Sequence, residues 1–240
     1  MTNMITASEI KEELLRNAIP EKKVILSSFF KTDKGQYGEG DKFIGVMVNT
    51  QRDLVKSIKN IELSEIEILL ADEYHECRMT ALVLLVALYK KAKPEQKQAI
   101  FDLYCKSTKY INSWDLVDLS APYIVGVHLE NRSRELLYKW ANSNLLWEQR
   151  ISIVSTIIYI RKNDFKDALS IISILQNNKQ DLIQKAAGWM LREIGKRNFD
   201  VEYNFLTENN RYKELPRTLL RYAIEKFPED IRQNFIHGSI

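Results

Sequence analysis

Apolar residues recur at intervals of three and four along most of the chain, which is the spacing of one face of an α-helix. The clearest stripes are Met79, Leu82, Val83, Val86 and Tyr89; Ile153, Ile157 and Ile160; and Leu169, Ile172 and Leu175. No run alternates apolar and polar residues for long enough to predict a hairpin strand. The pattern therefore predicts an all-α protein.

Helix starts are marked by residue types that favour them. Proline suits the first position of a helix because the amide hydrogen that it lacks would have no partner there. The prolines at predicted helix starts are Pro20, Pro94, Pro216 and Pro228. Ser64 and Glu67 have the spacing of a capping box, which predicts a helix that begins at the serine.

The predicted helices are separated by short polar breaks. Residues 113–142 and 146–177 each contain two helices and a break, at a spacing near the roughly 40 to 47 residues of HEAT-like repeats. We expect residues 1–240 to form a single domain, an α-solenoid of HEAT-like helical repeats with a concave DNA-binding face, in preference to a closed bundle.

One loop stands apart in composition. Residues 31–42 hold Gly35, Gly38 and Gly40, which are three of the eight glycines in the chain. Their order matches neither phosphate-binding glycine motif, so the loop is better explained as a lid or a connection between helices.

Composition excludes several classes of protein. The chain is 45% hydrophobic and 28% charged, which is compatible with a folded core and not with a disordered tail. No apolar run approaches the roughly 20 residues of a membrane span, and the first ten residues lack the layout of a secretion signal. We expect a cytoplasmic monomer that contacts no membrane.

Metal and cofactor chemistry is not indicated. The two cysteines, Cys77 and Cys105, cannot form a disulfide framework, and the three scattered histidines match no metal-ligand spacing. We therefore expect no metal site and no cofactor.

Charge is unevenly distributed. The net charge is +3, but residues 150–197 hold nine basic and four acidic residues. Such a surplus is typical of a surface that binds a polyanion, although a solvated helix face explains it equally well.

Three short helical stretches place tryptophan beside charge. On a helix, Trp114 shares a face with Asp118, and Trp147 with Arg150. Trp189 falls between Lys185 and Arg192, which places an indole in a cationic stripe. A carboxylate, a guanidinium and indoles together suit a cationic planar group beside a phosphate, which suggests work on a damaged nucleic-acid base.

Each of these residues also has a purely structural interpretation. Trp114 and Trp147 are explained by packing, and Asp118 by the favourable charge at a helix start. Arg150 is explained by a bridge or by solvation. The stripe around Trp189 is the least easily explained by packing.

The stretches SWDLVDLSAPYIVG, LLWEQRISIVS and IQKAAGWMLREIGK, with GDKFIGVMVNTQRDL upstream, resemble the AlkD-type alkylpurine DNA glycosylases of the DNA alkylation repair family. The resemblance runs in order over roughly residues 10–230. It implies HEAT-like repeats and the excision of positively charged N3- or N7-alkylated purines from duplex DNA, as in base excision repair. It also implies that the base need not be flipped out of the helix.

The resemblance also implies roles for individual residues. The family's catalytic carboxylate falls on Asp118, and its adjacent indole on Trp114. Its phosphate-binding arginine falls on Arg150, and its second DNA-facing indole on Trp189. The stripe residues Lys185 and Arg192 are further candidates for DNA contact.

Two positions depart from the family. Residues 27–30 read Ser-Ser-Phe-Phe where relatives carry a tyrosine, and Ile158 stands where some carry a lysine. Arg161, one turn beyond Ile158, is a candidate replacement for the lysine's phosphate contact. These departures bear on substrate range and rate more than on the fold.

The chemistry is simple if the resemblance holds. An alkylated purine is already cationic and leaves without a general acid, so one carboxylate that stabilises the developing charge on the sugar is enough. The alternative is a non-catalytic HEAT-repeat protein that binds DNA or serves as a protein-interaction scaffold.

Overall fold

The computed structural model describes residues 4–240, which form helices and turns without a strand. The prediction of an all-α protein is confirmed. One isolated parallel bridge joins Lys42 to Tyr74. The chain divides into two compact units, Met1–Ile124 and Val125–Ile240.

Unit 1 contains seven α-helices among its described residues, and a 3-10 turn at Thr108–Tyr110 precedes the last of them. They are α1 (Ala7–Arg16), α2 (Pro20–Phe29), α3 (Val48–Ser57), α4 (Leu63–Leu70), α5 (His75–Lys91), α6 (Pro94–Lys106) and α7 (Trp114–Ala121). A single π-helical turn, Pro122–Gly126, follows α7.

Unit 2 contains the remaining helices. They are α8 (Glu135–Ala141), α9 (Leu146–Ser155), α10 (Ile157–Ile160), α11 (Lys166–Leu175), α12 (Asp181–Gly195), α13 (Phe199–Thr207), α14 (Arg211–Glu214), α15 (Arg217–Ala223) and α16 (Glu229–His237). Short 3-10 turns at Glu208–Asn210 and Ile224–Lys226 adjoin α14 and α15.

The core of unit 1 is built around α5. This helix contacts α1, α3, α4, α6 and α7. Met79, Leu82 and Tyr89 of the predicted stripe are buried, but Val83 and Val86 are only partly buried. Leu84 and Leu85, outside the stripe, are buried as well. Because α5 carries apolar side chains around most of its circumference, it occupies the centre of the unit.

A turn before α3 wraps a buried carboxylate of α5. Glu76 accepts hydrogen bonds from the amides of Ile44 (2.8 Å), Gly45 (2.8 Å) and Val46 (3.1 Å). Gly45 has φ of +100°, and a Cβ there would lie 2.4 Å from the carbonyl oxygen of Ile19. The turn therefore requires glycine, since no side chain fits and the backbone is left-handed.

In unit 2, α12 contacts α9, α10, α11, α13 and α15. Helices α12 and α15 approach closely at Gly188, where a Cβ would lie 2.5 Å from the carbonyl oxygen of Leu219 and 2.5 Å from Cβ of Tyr222. Because Gly188 has no side chain, the backbone of α12 can pack directly against Leu219 and Tyr222 of α15.

The predicted prolines do begin helices. Pro20 and Pro94 occupy the first position of α2 and α6, while Pro216 and Pro228 cap α15 and α16.

The predicted capping box at Ser64 is wrong. Helix α4 begins at Leu63, and its cap Glu62 makes no side-chain capping bond. Glu67 instead forms an ion pair with Lys106 of α6 (2.7 Å), and Glu65 accepts the amide of Ala7 from α1 (2.7 Å). These tertiary partners replace the local cap.

The boundary between the units falls inside the repeat predicted at residues 113–142, within the π-helical turn. The single-domain organisation therefore stays a prediction. Over residues 4–240, no helix has the length and apolar character needed to cross a membrane.

Candidate active site

Unit 1 contains a cavity of about 390 Å³. It lies among α2, α3, α5, α7 and the segment of Phe43 to Met47. Its size falls in the range of small-molecule sites, and its walls are mostly apolar.

Aromatic rings form one wall. Phe30 stacks on Phe43 with centroids 5.1 Å apart, and on Trp114 with centroids 5.5 Å apart. Phe29 meets Trp114 edge-on at 6.1 Å and is 60% exposed, whereas Phe30 is buried. The phenylalanines that replace the family's tyrosine are therefore part of the wall behind Trp114.

Trp114 and Asp118 both line this cavity. They lie four residues apart in α7, so the side chains project from successive turns of one helical face. Both are partly exposed. The predicted pairing of an indole and a carboxylate on one face is thus present, and the pair faces a cavity.

The start of α7 is held by a carboxylate. Ser113 is the capping residue, but its hydroxyl makes no capping bond. Asp115 instead accepts the amide of Leu116 through Oδ1 at 2.9 Å. A carboxylate, rather than the serine hydroxyl, therefore binds a backbone amide in the first turn of α7.

The glycine-containing loop at residues 31–42 supplies a hydroxyl to the site. Trp114 Nε1 donates a hydrogen bond to the hydroxyl of Tyr37 at 3.3 Å. The loop is closed by its own bonds, in which Gly38 donates to Lys31 O (3.1 Å) and Gly35 to a carboxylate oxygen of Glu39 (2.7 Å). Tyr37 was missed from the sequence because the signal of the loop was its glycines, not its tyrosine.

A buried histidine links the loop to α7. His75 Nδ1 lies 2.9 Å from Asp41 Oδ2, and His75 Nε2 lies 3.0 Å from Asp115 Oδ2. The ring is also stacked on Phe43, with centroids 4.6 Å apart. Arg78 donates a short hydrogen bond to the second oxygen of Asp41.

These contacts set the charge of the cluster. Burial opposes protonation of His75, but its hydrogen bonds to Asp115 and Asp41 outweigh burial and raise the pKa to about 9. Burial likewise opposes ionisation of Asp41, yet His75 and Arg78 hold the pKa of Asp41 below its usual value. Near neutral pH the histidine is therefore an imidazolium between two carboxylates.

Arg150, the expected phosphate-binding residue, lies in α9 of unit 2 and is only 5% exposed. Its Nη1 donates to the carbonyl oxygen of Leu182 in α12 at 2.6 Å. The guanidinium therefore joins two helices, as the structural interpretation predicts. A phosphate contact stays a prediction and would require the side chain to turn outwards.

The expected stripe along α12 is present, but acidic partners neutralise it. Lys185 pairs with Asp181 (2.6 Å), Lys196 with Glu193 (2.6 Å), and Arg192 with Glu225 of the 3-10 turn after α15. The indole of Trp189 is partly exposed and donates to Glu193 at 3.3 Å. Each cation of the stripe thus has a carboxylate beside it, and the DNA contact of Lys185, Trp189 and Arg192 stays a prediction.

Other cations of unit 2 are available to an anion. Within residues 4–240, four exposed basic side chains of the basic segment make no ion pair: Arg161, Lys166, Lys179 and Arg197. Arg161 ends α10, while Ile158, where relatives carry a lysine, is partly buried against Gly126.

The family model for DNA alkylation repair enzymes matches residues 10–227. The chain belongs to the DNA alkylation repair enzyme family. Membership gives it a role in the repair of alkylated DNA, with DNA as the substrate of that repair. The Trp114 and Asp118 cavity lies inside the matched region.

A solved structure supports the fold. The chain is similar to a predicted DNA alkylation repair enzyme from Enterococcus faecalis, with a TM-score of 0.68 and 18% identity. The match covers 89% of this chain and 98% of the other. Among curated proteins none matches this chain.

Proposed function

We propose that this family member is a DNA glycosylase that hydrolyses the N-glycosidic bond of positively charged N3- or N7-alkylated purines in duplex DNA. The observation that carries the proposal is the placement of Trp114 and Asp118 on one face of α7, at the wall of an aromatic cavity. A protein that only binds DNA or another protein has no need of a carboxylate beside an indole there.

Asp118 is the catalytic residue in this proposal. When the bond to C1′ breaks, the positive charge of the alkylated base moves to the sugar. A fixed carboxylate stabilises that charge, and the same group orients or deprotonates the attacking water. No proton needs to be given to the leaving base, because it departs as a neutral purine.

The aromatic wall favours the same substrate. Trp114 stacks on Phe30, which stacks in turn on Phe43, so the indole is fixed in orientation. The face of an indole attracts a cation by about 0.5 to 2 kcal/mol, more where water is excluded. An uncharged purine lacks this cation–π attraction. The site therefore favours the alkylated, positively charged base over the normal one.

DNA affinity comes from the phosphates in this proposal. The exposed cations Arg161, Lys166, Lys179 and Arg197 are better suited to them than Lys185 and Arg192, which already have carboxylate partners. Trp189 remains a candidate for a sugar contact, because its ring is partly exposed.

The test is release of free base from duplex DNA methylated by a simple alkylating agent. The parental protein should release 7-methylguanine or 3-methyladenine in the presence of a chelator, and Asp118→Asn should release it at least about 100-fold more slowly under single-turnover conditions. Asp102→Asn, which changes an exposed aspartate of α6, is the matched control and should act as the parent does. A folded Asp118→Asn variant with parental activity would overturn the proposal.

A further inference from the structure

Asp41, His75, Arg78 and Asp115 form a cluster at the cavity, and two of them, His75 and Asp115, line it. The proposed reaction assigns none of the four a catalytic role. The charges of the cluster are paired with one another, and His75 is only 3% exposed. Burying four ionisable groups is costly, and a hydrophobic core would hold the helices equally well. The arrangement calls for a function beyond packing.

We propose that His75 is a positioning residue for the candidate active site: as an imidazolium bound to both Asp41 and Asp115, it holds the start of α7 against the loop of residues 31–42, and so fixes Trp114 and Asp118. The proposal rests on the proposed function, since it names what sets the geometry of that site.

The contacts show how one ring reaches both parts of the site. Asp115 uses Oδ1 for the amide of Leu116 and Oδ2 for His75, so the first turn of α7 is anchored through this side chain. Trp114 precedes Asp115 in the chain, and Asp118 follows one turn later. A displacement of this turn therefore moves both candidate functional groups.

The other ring nitrogen anchors the loop. Asp41 is bound by His75 and by Arg78, and the amide of His75 donates to the carbonyl oxygen of Lys42 at 2.8 Å. The same loop carries Tyr37, whose hydroxyl accepts from Trp114. The loop and α7 thus meet at two places, the His75 ring and the Tyr37 hydroxyl.

Protonation is required for both contacts at once. A neutral imidazole has one N–H, so it can donate to only one of the two carboxylates. The charged groups that face the ring or share its cavity are Asp41 from the loop, Asp115 and Asp118 from α7, Glu76 and Arg78 from α5, and Arg52 from α3. Deprotonation removes the imidazole donor from one of the two carboxylates and so releases one of the two anchors.

The first experiment follows the site by NMR and does not depend on catalysis. The indole N–H signal of Trp114, assigned with Trp114→Phe, and the imidazole signals of His75 are recorded between pH 6 and 10. Both should titrate together on the alkaline side. In Asp41→Asn, which does not alter α7, both midpoints should fall by about one to three pH units because an opposite charge is lost.

The second experiment measures single-turnover excision and duplex affinity in the same variants. Asp41→Asn and Asp115→Asn should excise about 10 to 100 times more slowly, with nearly unchanged affinity, since a small misplacement of reacting groups has an effect of this size. The parental rate should fall at the pH where the Trp114 signal moves.

Glu65→Gln is the matched control. It removes a carboxylate that links α4 to the amide of Ala7 and that touches neither His75 nor α7. It should lower the melting temperature without changing the Trp114 titration or the alkaline limit of the rate.

The outcomes separate this proposal from the proposed function. A Trp114 signal that does not move with His75, or an Asp41→Asn variant with the parental rate, overturns the positioning role. An equal loss of rate in Glu65→Gln overturns it too, because the effect would then be one of stability. If no form of the protein releases a base, the proposed function fails while the NMR titration still decides whether His75 controls Trp114.

Discussion

The indole of Trp114 donates to the hydroxyl of Tyr37 at 3.3 Å, although the two residues lie 77 positions apart in the chain. The contact joins the first turn of α7 to a loop that has no regular secondary structure. Relatives in this family can place a tyrosine near the end of α2, where this chain has phenylalanine. Here a hydroxyl reaches the site from the loop instead.

Removing that hydroxyl should loosen Trp114. In Tyr37→Phe, the activation free energy of excision should rise by about 0.5 to 1.5 kcal/mol, which lowers the single-turnover rate roughly 2- to 12-fold. Stopped-flow release of base measures this. Trp114→Phe alone should lower the rate further. The double variant of Tyr37→Phe and Trp114→Phe should be no slower than Trp114→Phe.

The non-additivity is the decisive part of the measurement. If the two losses simply add, the hydroxyl acts on DNA independently of the indole. An unchanged rate in Tyr37→Phe would mean that the stacked rings of Phe30 and Phe43 are sufficient to hold Trp114.

Two arginines of unit 2 should respond in opposite ways. Arg150 is buried and bonded to α12, so Arg150→Ala should lower the melting temperature, at a cost of about 2 to 4 kcal/mol for a lost buried side chain and its hydrogen bond. Arg161 is exposed and without an ion pair in the described chain, so Arg161→Ala should leave the melting temperature unchanged.

Affinity for undamaged duplex separates them further. With about four phosphates neutralised by exposed cations, log K should fall against log salt with a slope near −4, and Arg161→Ala should reduce that slope by about one. Scanning calorimetry and a salt series in fluorescence anisotropy are the measurements. A thermally intact Arg150→Ala variant with a reduced salt slope would restore the phosphate role expected from the sequence.

The sequence predicts well what depends on neighbours in the chain. Apolar spacing predicts α5 and its burial, and a separation of four residues predicts the common face of Trp114 and Asp118. It does not show that Arg150 meets Leu182, 32 residues later, or that Glu225 neutralises Arg192, 33 residues earlier. Those contacts depend on how helices pack, and no local pattern encodes them.

The same limit explains the missed cluster around His75. In the sequence, His75 matches no metal-ligand spacing, and Asp41 lies in a loop whose distinctive feature is its glycines. Asp41 lies 34 residues before His75 in the chain, and Asp115 lies 40 residues after it. The one local signal is Asp115, directly after Trp114, and the favourable charge at a helix start explains this aspartate equally well.

Gly188 should tolerate no side chain. Alanine is intrinsically the better helix former by about 1 kcal/mol, but its Cβ would lie 2.5 Å from Leu219 O. We expect Gly188→Ala to be destabilising by about 1 to 3 kcal/mol, the usual effect of overpacking, as measured by urea unfolding. A variant as stable as the parent, or more stable, would show that α12 and α15 separate without cost.

A buried glutamate in unit 2 should make stability depend on pH. Glu202 of α13 is 1% exposed, and its Oε1 has no hydrogen-bond partner. Burial raises the pKa of Glu202 to about 9, and the charge of Arg192 opposes this only in part. The folded pKa thus lies above the unfolded value near 4.5, so the folded state binds the proton more tightly.

The stability of the folded protein should therefore decrease as the pH rises. Below about pH 4.5 the protonated side chain makes its full contribution to the free energy of unfolding. That free energy then falls progressively as the pH rises towards 9. Glu202→Gln keeps the shape but cannot ionise. It should match the parent at pH 4 and exceed it at pH 8 by several kcal/mol, at most about 5, because each pH unit above the unfolded pKa costs the parent about 1.4 kcal/mol.

Urea unfolding of the parent and of Glu202→Gln at both pH values measures the difference. His75 also loses its stabilising contribution as the pH rises through about 9, but it is present in both proteins, so its effect cancels in the comparison. Glu214→Gln, at an exposed glutamate of α14, is the matched control and should follow the parent at both pH values. If Glu202→Gln follows the parent as well, the carboxyl ionises without cost, and water must reach it in the folded protein.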